Sequence, residues 1–417
     1  MAELMYLGVI AAVIFYIGIK ERRKMDRQLQ KIPTRILVNG IRGKSTVTRL
    51  LMGIAKEDGQ RTAGKTTGTS PRLFYWDSEE EEPIMRSLQG ANISEQKIIN
   101  DQVADRNVST FVAECMAVNP EYQKVFEDRF VRPHITVITN IVEDHLDVMG
   151  PTLDQIAEAF SRTIPKNGYV VMPETDYNDF FEDIAENRGS EVVYYSTKGI
   201  DESYLKKFPY MMFAENAAIG LAVAGILGID RDTAMRGMLN APVDPGAMKI
   251  HSFGTASEPS YFFNGFAAND ATSTRNIWNK ILASGYRHRH KAVIMNCRDD
   301  RVDRTIQFAE EVLPELKMDT LIVAGKAVQP IVRAYEEGSI QVNKLINLEK
   351  ADTEEVIDEL KKLPDETLLY GIGNIHGGGQ EIADAMEELG AERKDPGKQS
   401  GAAYFPKRRD RVLAEQH

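Results

Sequence analysis

A short strand followed at once by a glycine-rich turn and a helix constrains the fold of this chain more than any other feature of its sequence. The run 34–38 is rich in apolar and β-branched residues, as expected of a buried parallel strand. After it comes Gly40-Ile41-Arg42-Gly43-Lys44-Ser45-Thr46, and then a helical stretch over residues 47–57. Two glycines let the backbone curl so that several N–H groups face one point, and the helix N-terminus adds its partial positive charge there. The pattern predicts a phosphate-binding loop, which we call the phosphate clamp (residues 40–46).

The residue types in the clamp point to a nucleoside triphosphate. Lys44 is placed to reach the terminal phosphates, and the Ser45 hydroxyl to contact Mg²⁺. The long form of this motif has its first glycine five residues before the second, a position that Val38 occupies here, so this clamp is a shortened one. The alternative is a glycine-rich strand–helix turn with an incidental lysine. The order of strand, clamp and helix favours the phosphate site.

Length, charge and cysteine content exclude several classes of protein. A chain of 417 residues exceeds one typical domain and is expected to hold two. Hydrophobic residues at 42% and charged residues at 27% are typical of a globular protein. The net charge of −11 argues against indiscriminate nucleic-acid binding, so we expect no DNA or RNA partner. Cys115 and Cys297 lie far apart in apolar surroundings, which favours two buried free thiols in a reducing compartment.

The amino terminus carries a long uncharged stretch. Residues 4–19 contain no charge, and Lys20-Glu21-Arg22-Arg23-Lys24 follows directly. A helix of this length spans roughly 24 Å, slightly less than the hydrocarbon core of a bilayer. A cleaved signal peptide has its positive charges before the apolar run, which is the reverse of this order. We expect residues 1–20 to form a single-pass anchor in the cell membrane with the rest of the chain cytoplasmic. The alternative is an interfacial or bundle-packing helix.

Strands and helices alternate along the remainder, which predicts an α/β fold with parallel sheets covered by helices on both faces. Residues 240–246, Asn-Ala-Pro-Val-Asp-Pro-Gly, predict a break between two doubly wound domains. The predicted divisions are a membrane anchor at 1–20, a charged linker at 21–33, a P-loop ATP-binding domain at 34–240, a Rossmann-like domain at 241–392 and a tail at 393–417.

Two polar groups follow predicted strands and are expected at the same sheet edge as the clamp. Glu114 lies directly after the predicted strand 110–113, where its carboxylate suits the magnesium shell begun by Ser45. Residues 139–147 place Asp144, His145 and Asp147 after the next strand, which suits a second cation or a phosphate contact. The alternative for His145 is a helix-capping imidazole paired with an acid. No Gly-x-Ser-x-Gly elbow or nucleophile triad occurs.

The order of these motifs resembles the Mur ligase superfamily. The segment Thr69-Ser70-Pro71-Arg72-Leu73 is similar to a loop of folylpolyglutamate synthases, and Gly90-Ala91-Asn92-Ile93 to a Mur loop that contacts the transferred phosphate. Longer runs resemble the ligase subunits of poly-γ-glutamate synthases over residues 4 to about 385: the clamp with Val47-Thr48-Arg49-Leu50, Glu114-Cys115-Met116-Ala117-Val118-Asn119-Pro120, residues 144–153 and Tyr370-Gly371-Ile372-Gly373-Asn374-Ile375-His376-Gly377.

The resemblance implies an ATP-dependent amide ligase that uses Mg²⁺ and forms an acyl phosphate on a glutamate γ-carboxylate. It implies glutamate and the growing polymer as substrates, with integral membrane subunits of a synthase or export complex as partners. The rivals are a folate or peptidoglycan ligase, and an ATPase motor or regulatory subunit of a polymer exporter. The implied catalytic residues are Lys44, Glu114 and His145, the metal ligands are Ser45, Glu114 and His145, and the nucleotide contacts are Gly40, Ile41, Arg42, Gly43, Lys44, Ser45, Thr46, Asn92, Asn216, Asn269 and Arg301.

Two positions depart from the family pattern. Many Mur enzymes carry a carbamylated lysine about fifteen residues after the Asp-His motif, but residues 157–162 here read Ala-Glu-Ala-Phe-Ser-Arg. We therefore expect the second metal site to differ or to be looser. Ala247 also stands where family members tend to have arginine, and Arg298, Arg301 and Arg304 are candidates to replace that phosphate contact. The alternative for these arginines is a solvated helix start.

Overall fold

The computed structural model describes residues 2–67, 71–85, 92–143, 146–244, 247–267 and 270–394. The chain divides into two compact units, residues 1–247 and 248–417. Several residues singled out in the sequence lie outside the described residues: Thr69, Ser70, Gly90, Ala91, Asp144, His145, Pro245, Gly246, Asn269 and most of the predicted tail.

The first unit is built on an eight-stranded sheet in the order β4-β3-β2-β5-β1-β6-β7-β8. In this spatial order, the neighbouring strands β2, β5, β1, β6, β7 and β8 are all parallel. At the other edge β3 pairs antiparallel with β2, and β4 pairs antiparallel with β3. The strands are β1 Thr34–Asn39, β2 Thr62–Thr66, β3 Arg72–Tyr75, β4 Glu82–Pro83, β5 Thr110–Glu114, β6 Ile135–Ile138, β7 Tyr169–Met172 and β8 Glu191–Tyr194.

Helices cover both faces of this sheet, as the alternating pattern predicts. Helix α4 continues into a π-helical turn, Phe126–Val131. The helices of the first unit are α1 Ala2–Gln30, α2 Lys44–Glu57, α3 Glu95–Asp105, α4 Pro120–Val125, α5 Leu146–Met149, α6 Leu153–Ser161, α7 Asn178–Asn187, α8 Glu202–Leu205, α9 Ala214–Leu227 and α10 Arg231–Leu239.

The core of the first unit fixes the helix that follows the clamp. Val47, Leu50 and Ile54 on α2 are buried in one apolar cluster with strands β1, β5 and β6. On its other side α2 packs closely on α10, because Gly53 and Gly237 carry no side chain and a Cβ on either would overlap with the partner backbone. Burial on both faces gives α2 a fixed position relative to β1, so the loop between them has a defined shape.

Helix α1 continues without a break through the segment predicted as a charged linker, as far as Gln30. Its carboxyl half is fixed to α3 by ion pairs of Lys24 with Asp101 and of Glu21 with Lys97. Glu, Lys, Arg, Met and Gln are good helix formers, and burial of Leu29 and packing of Met25 against the apolar cluster that contains Ile99 of α3 stabilise this half of the helix.

The amino half of α1 exposes large apolar side chains, among them Tyr6, Ile14 and Phe15 at 67%, 65% and 71% exposure. Within the described part of the chain, no helix has the length and apolar character required to cross a membrane. The predicted transmembrane helix is therefore not confirmed.

The second unit has a six-stranded sheet in the order β13-β12-β11-β14-β10-β9, parallel except for β9. The two α/β units confirm the predicted fold class. The strands are β9 Ile250–Gly254, β10 Pro259–Asn264, β11 His290–Cys297, β12 Thr320–Gly325, β13 Lys344–Glu349 and β14 Thr367–Gly373; the helices are α11 Ala271–Ala283, α12 Val302–Gln307 with a π-helical turn Phe308–Val312, α13 Gln329–Glu336, α14 Thr353–Lys361 and α15 Gly379–Lys394.

Candidate active site

The phosphate clamp lies between the end of β1 and the start of α2, as the sequence predicts. Gly40 has a φ of 121° and Gly43 a φ of 84°, a region that favours glycine. A Cβ on Gly40 would overlap with the Thr139 hydroxyl, and one on Gly43 would lie 3.0 Å from Asn216 Oδ1. Both glycines are thus required by backbone conformation and by close neighbours.

Lys44 is the first residue of α2, and its side chain folds back over the clamp. Its Nζ donates to the backbone oxygens of Gly40 at 2.8 Å and Ile41 at 3.0 Å. The N–H groups of the first helical turn have no partners within the helix and open toward the same side. The loop therefore combines a fixed ammonium group with backbone donors, which is the chemistry that binds a polyphosphate.

Ser45 and Glu114 form the second part of the site. Val38 on β1 pairs in register with Glu114 on β5, so the carboxylate lies at the strand edge where the clamp begins. Glu114 Oε2 accepts from Ser45 Oγ at 2.8 Å and from Thr67 N at 2.9 Å. The side chain is only 3% exposed.

This pair fits a magnesium ion. A hydroxyl and a carboxylate are hard oxygen ligands, and Mg²⁺ at nucleotide sites takes one or two protein ligands with phosphates and waters completing its shell. Within the described residues there is no group of three or more His, Cys, Asp or Glu side chains able to hold a metal by themselves. The donor set therefore suits a metal that arrives with nucleotide.

The other predicted contacts are distributed over both units. Asn216 on α9 is 9% exposed and lies beside Gly43. Asn92 precedes α3, where its Oδ1 accepts from Ser94 N at 2.9 Å. Arg301 is an exposed residue before α12 in the second unit. His145 and Asn269 lie outside the residues that the structure describes.

The described part of the site contains no activated thiol. Cys115 follows Glu114 directly but is 2% exposed, and burial raises the pKa of its thiol to about 11. A thiol with this pKa stays protonated at neutral pH and is a poor nucleophile. Phe160, in the segment 157–162 that lacks the family's lysine, is buried in an apolar cluster and offers no ligand to a cation.

A polar network at the carboxyl edge of the second sheet joins Arg304, which the sequence singled out, to Asn296 and Asn374, which it did not single out as site residues. Asn296 Nδ2 donates to the backbone oxygen of Asn374 at 2.7 Å, and Asn374 Nδ2 donates to the backbone oxygen of Asn296 at 3.0 Å. Arg304 donates to Asn374 Oδ1 at 2.7 Å. Asn296 is 1% exposed, and its Oδ1 has no hydrogen-bond partner among the described residues.

This network lies where the strand order reverses, between β11 and β14. Open α/β sheets bind ligands at such points. The loop from Gly373 to Gly379 has positive φ at Gly373, Gly377 and Gly378 and leads into the amino terminus of α15. The sequence signals for it are the glycine-rich run 370–377, which resembles ligase subunits of poly-γ-glutamate synthases, and the candidate contact Arg304.

Comparison with known proteins agrees with this geometry. The Mur ligase middle domain matches residues 38–220, and the poly-gamma-glutamate synthase CapB C-terminal domain matches residues 250–389. The PGA synthase CapB of Bacillus subtilis is 50% identical over 385 residues, which is 92% of this chain and 98% of that protein. The chain belongs to the CapB family. It is an ATP-dependent amide ligase of the Mur ligase superfamily.

A second CapB relative and two solved structures extend the comparison. The capsule biosynthesis protein CapB of Bacillus anthracis is 46% identical over 92% of this chain and 82% of its own length. The bifunctional folylpolyglutamate synthase/dihydrofolate synthase of Yersinia pestis, solved with AMPPNP and a manganese ion, has a TM-score of 0.58 at 15% identity, over 90% of this chain and 97% of that one. MurF of Acinetobacter baumannii also reaches 0.58 at 15% identity, over 87% and 78%. These two likenesses show a shared fold.

Proposed function

We propose that this chain polymerises glutamate into poly-γ-glutamate, using ATP and Mg²⁺ to activate a γ-carboxylate as an acyl phosphate. The observation that carries the proposal is the 50% identity to a PGA synthase over 92% of the chain. The clamp supports it with Lys44 on the loop and with Ser45 and Glu114 in one hydrogen-bonded pair.

The clamp residues supply positioning and charge in this reaction. A free carboxylate is a poor electrophile at neutral pH, so transfer of the terminal phosphate must precede amide formation. Lys44 places a positive charge where negative charge develops on the transferred group, and the backbone N–H groups orient the triphosphate. When bound, Mg²⁺ neutralises charge on the phosphate oxygens. Glu114 and Ser45 would hold the ion.

The incoming amine then attacks the carbonyl carbon of the acyl phosphate; the C–N bond forms, the C–O bond to phosphate breaks, and inorganic phosphate and a proton leave. The high pKa of Cys115 and the absence of an activated thiol from the described site are consistent with a route that needs no covalent enzyme intermediate. In the second unit, Asn296 Oδ1 is a buried acceptor without a partner among the described residues, which suits an ammonium or amine donor.

We also propose that α1 holds the enzyme at the cytoplasmic face of the cell membrane, next to integral membrane subunits of a synthase complex. The support is the apolar surface that Tyr6, Ile14 and Phe15 leave exposed. Arg35, at the amino end of β1, donates to the Leu29 and Ile32 oxygens at the end of α1. Helix α1 therefore joins the sheet at the edge opposite the clamp.

The test is product analysis with the whole chain. Membranes that carry this protein are supplied with glutamate, ATP and Mg²⁺, and the product is examined by mass spectrometry for a ladder of γ-linked glutamates. Membranes carrying the Lys44→Ala variant are the matched control and should give no ladder. ATP hydrolysis without amide formation would favour the exporter motor, and ligation only to folate or peptidoglycan precursors would favour those ligases.

A further inference from the structure

We propose that Asn140 is a positioning residue that sets the shape of the phosphate clamp. Asn140 follows β6, the strand that pairs with β1 on the side away from Glu114. Its Oδ1 accepts from the backbone N–H groups of Ile41 at 3.2 Å and Arg42 at 3.1 Å. Its Nδ2 donates to the Arg42 oxygen at 3.0 Å. One carboxamide thus binds the backbone N–H groups of Ile41 and Arg42 and the backbone oxygen of Arg42, all in the part of the clamp before Gly43.

The backbone donors of the clamp divide into two groups as a result. The N–H groups of Ile41 and Arg42 are bound to Asn140. Those of Lys44, Ser45 and Thr46 begin α2 and have no partner inside the helix. The N–H groups of residues 44–46 are therefore available to phosphate oxygens, and Asn140 fixes the loop that leads into them.

Asn140 is itself attached to a rigid part of the sheet. The Thr139 N–H donates to the Asn39 oxygen at 2.9 Å, and the Tyr195 hydroxyl donates to the Thr139 oxygen at 2.9 Å. The Thr139 hydroxyl adds a bond to the Arg42 oxygen at 2.8 Å. These contacts prevent the segment after β6 from moving away from the loop.

Asparagine is the residue that these contacts require. Its carboxamide presents an acceptor and a donor in one plane, so it can bind the N–H groups of two residues and a carbonyl oxygen together. Aspartate keeps the acceptor and loses the donor. The clamp is also short, with Val38 where the long motif has glycine.

The inference rests on ATP use by this site, and nucleotide binding by the full chain tests it apart from ligation. We expect Asn140→Ala to raise the dissociation constant for ATP by about tenfold, the size of one net hydrogen bond. In turnover assays the KM for ATP should rise and the KM for glutamate should stay unchanged.

Asn140→Asp is the second variant, because it keeps both accepted bonds and should fold. A carboxylate beside the triphosphate adds repulsion, so we expect weaker ATP binding than in Asn140→Ala at low salt and a smaller difference between the two at high salt. The matched control is Asn187→Ala, since the Asn187 amide donates to the Asp183 backbone oxygen in its own helix, its one side-chain hydrogen bond among the described residues, and lies outside the clamp.

Three results would overturn the role of Asn140. The first is an equal affinity for ATP in wild type and Asn140→Ala. The second is a loss of ATP affinity in Asn140→Asp that does not depend on salt. The third is a loss of ATP affinity in Asn187→Ala as large as that in Asn140→Ala. Absence of ATP binding by the wild-type chain would instead overturn the proposed function.

Discussion

Substitution of Glu114 by glutamine separates the metal role of this carboxylate from its structural role. Both bonds, from Ser45 Oγ at 2.8 Å and Thr67 N at 2.9 Å, go to the same oxygen, Oε2. Glutamine can turn its single oxygen to these two donors. Its NH₂ group then lies where the carboxylate offered a second oxygen, and an NH₂ group does not ligate a hard cation.

The structure gives the size of the two effects. A bond to a charged acceptor is worth about 1.5–3 kcal/mol and a neutral one about 0.5–1.5 kcal/mol, so the two bonds lose roughly 2–3 kcal/mol. Glu114 is 3% exposed, and the removal of a buried charge offsets most of this loss. We expect the free energy of unfolding to change by no more than about 1 kcal/mol. Turnover should fall on the order of 100- to 1,000-fold.

The assay is turnover as a function of magnesium concentration, with unfolding by denaturant in parallel. We expect the concentration for half-maximal turnover to rise by about tenfold or more, and by more than in His145→Gln. Glu114→Ala is the control for the structural role. It leaves Ser45 Oγ and Thr67 N without their acceptor and should destabilise the fold by about 2–4 kcal/mol. An unchanged magnesium requirement in Glu114→Gln would refute the assignment.

Three further changes test other parts of the molecule. Lys44→Ala should lower turnover by about 100- to 1,000-fold with the fold intact, and more than a tenth of wild-type turnover would contradict its role. Deletion of residues 1–20 should leave a folded chain that binds ATP and stays in the supernatant on sedimentation of membranes, whereas full recovery with membranes would assign the attachment to another surface. Burial raises the pKa of Glu127 to about 7, above the unfolded value of about 4.3, so the stability it contributes is lost as pH rises between those values. Glu127→Gln should flatten the dependence of the unfolding free energy on pH in that window.

The parallel strands next to the clamp could be predicted because they carry dense apolar runs. Strands β1 and β5 end one residue beyond their predicted bounds, 34–38 and 110–113. Strand β2, Thr-Ala-Gly-Lys-Thr, was missed because it is polar and small in sequence, yet all five residues are buried. Lys65 is 1% exposed there, with its Nζ 5.0 Å from the centre of the Phe126 ring. No local pattern shows that such a segment enters a sheet.

Part of the candidate site could likewise be predicted from the sequence, and part could not. The order of strand, glycines, lysine and helix predicts the clamp, and parallel topology brings Glu114 to the same edge. The bonds of Asn140 to the loop backbone and the reciprocal bonds of Asn296 and Asn374 depend on side-chain direction at strand ends, which sequence spacing does not determine. The helical state of residues 21–30 likewise depends on tertiary contacts, namely the burial of Leu29 and the packing of Met25 against the apolar cluster that contains Ile99 of α3.

Because helix α1 is unbroken, its length determines the direction in which its apolar side chains point relative to the rest of the first unit. Each residue of an α-helix turns the chain by about 100° and advances it by about 1.5 Å. Because Glu21 and Lys24 fix the carboxyl half to α3, one residue inserted before them would point the apolar side chains in another direction, and about seven would restore the original one. The orientation in which the catalytic unit is presented to whatever contacts its amino terminus is therefore encoded in the length of this helix.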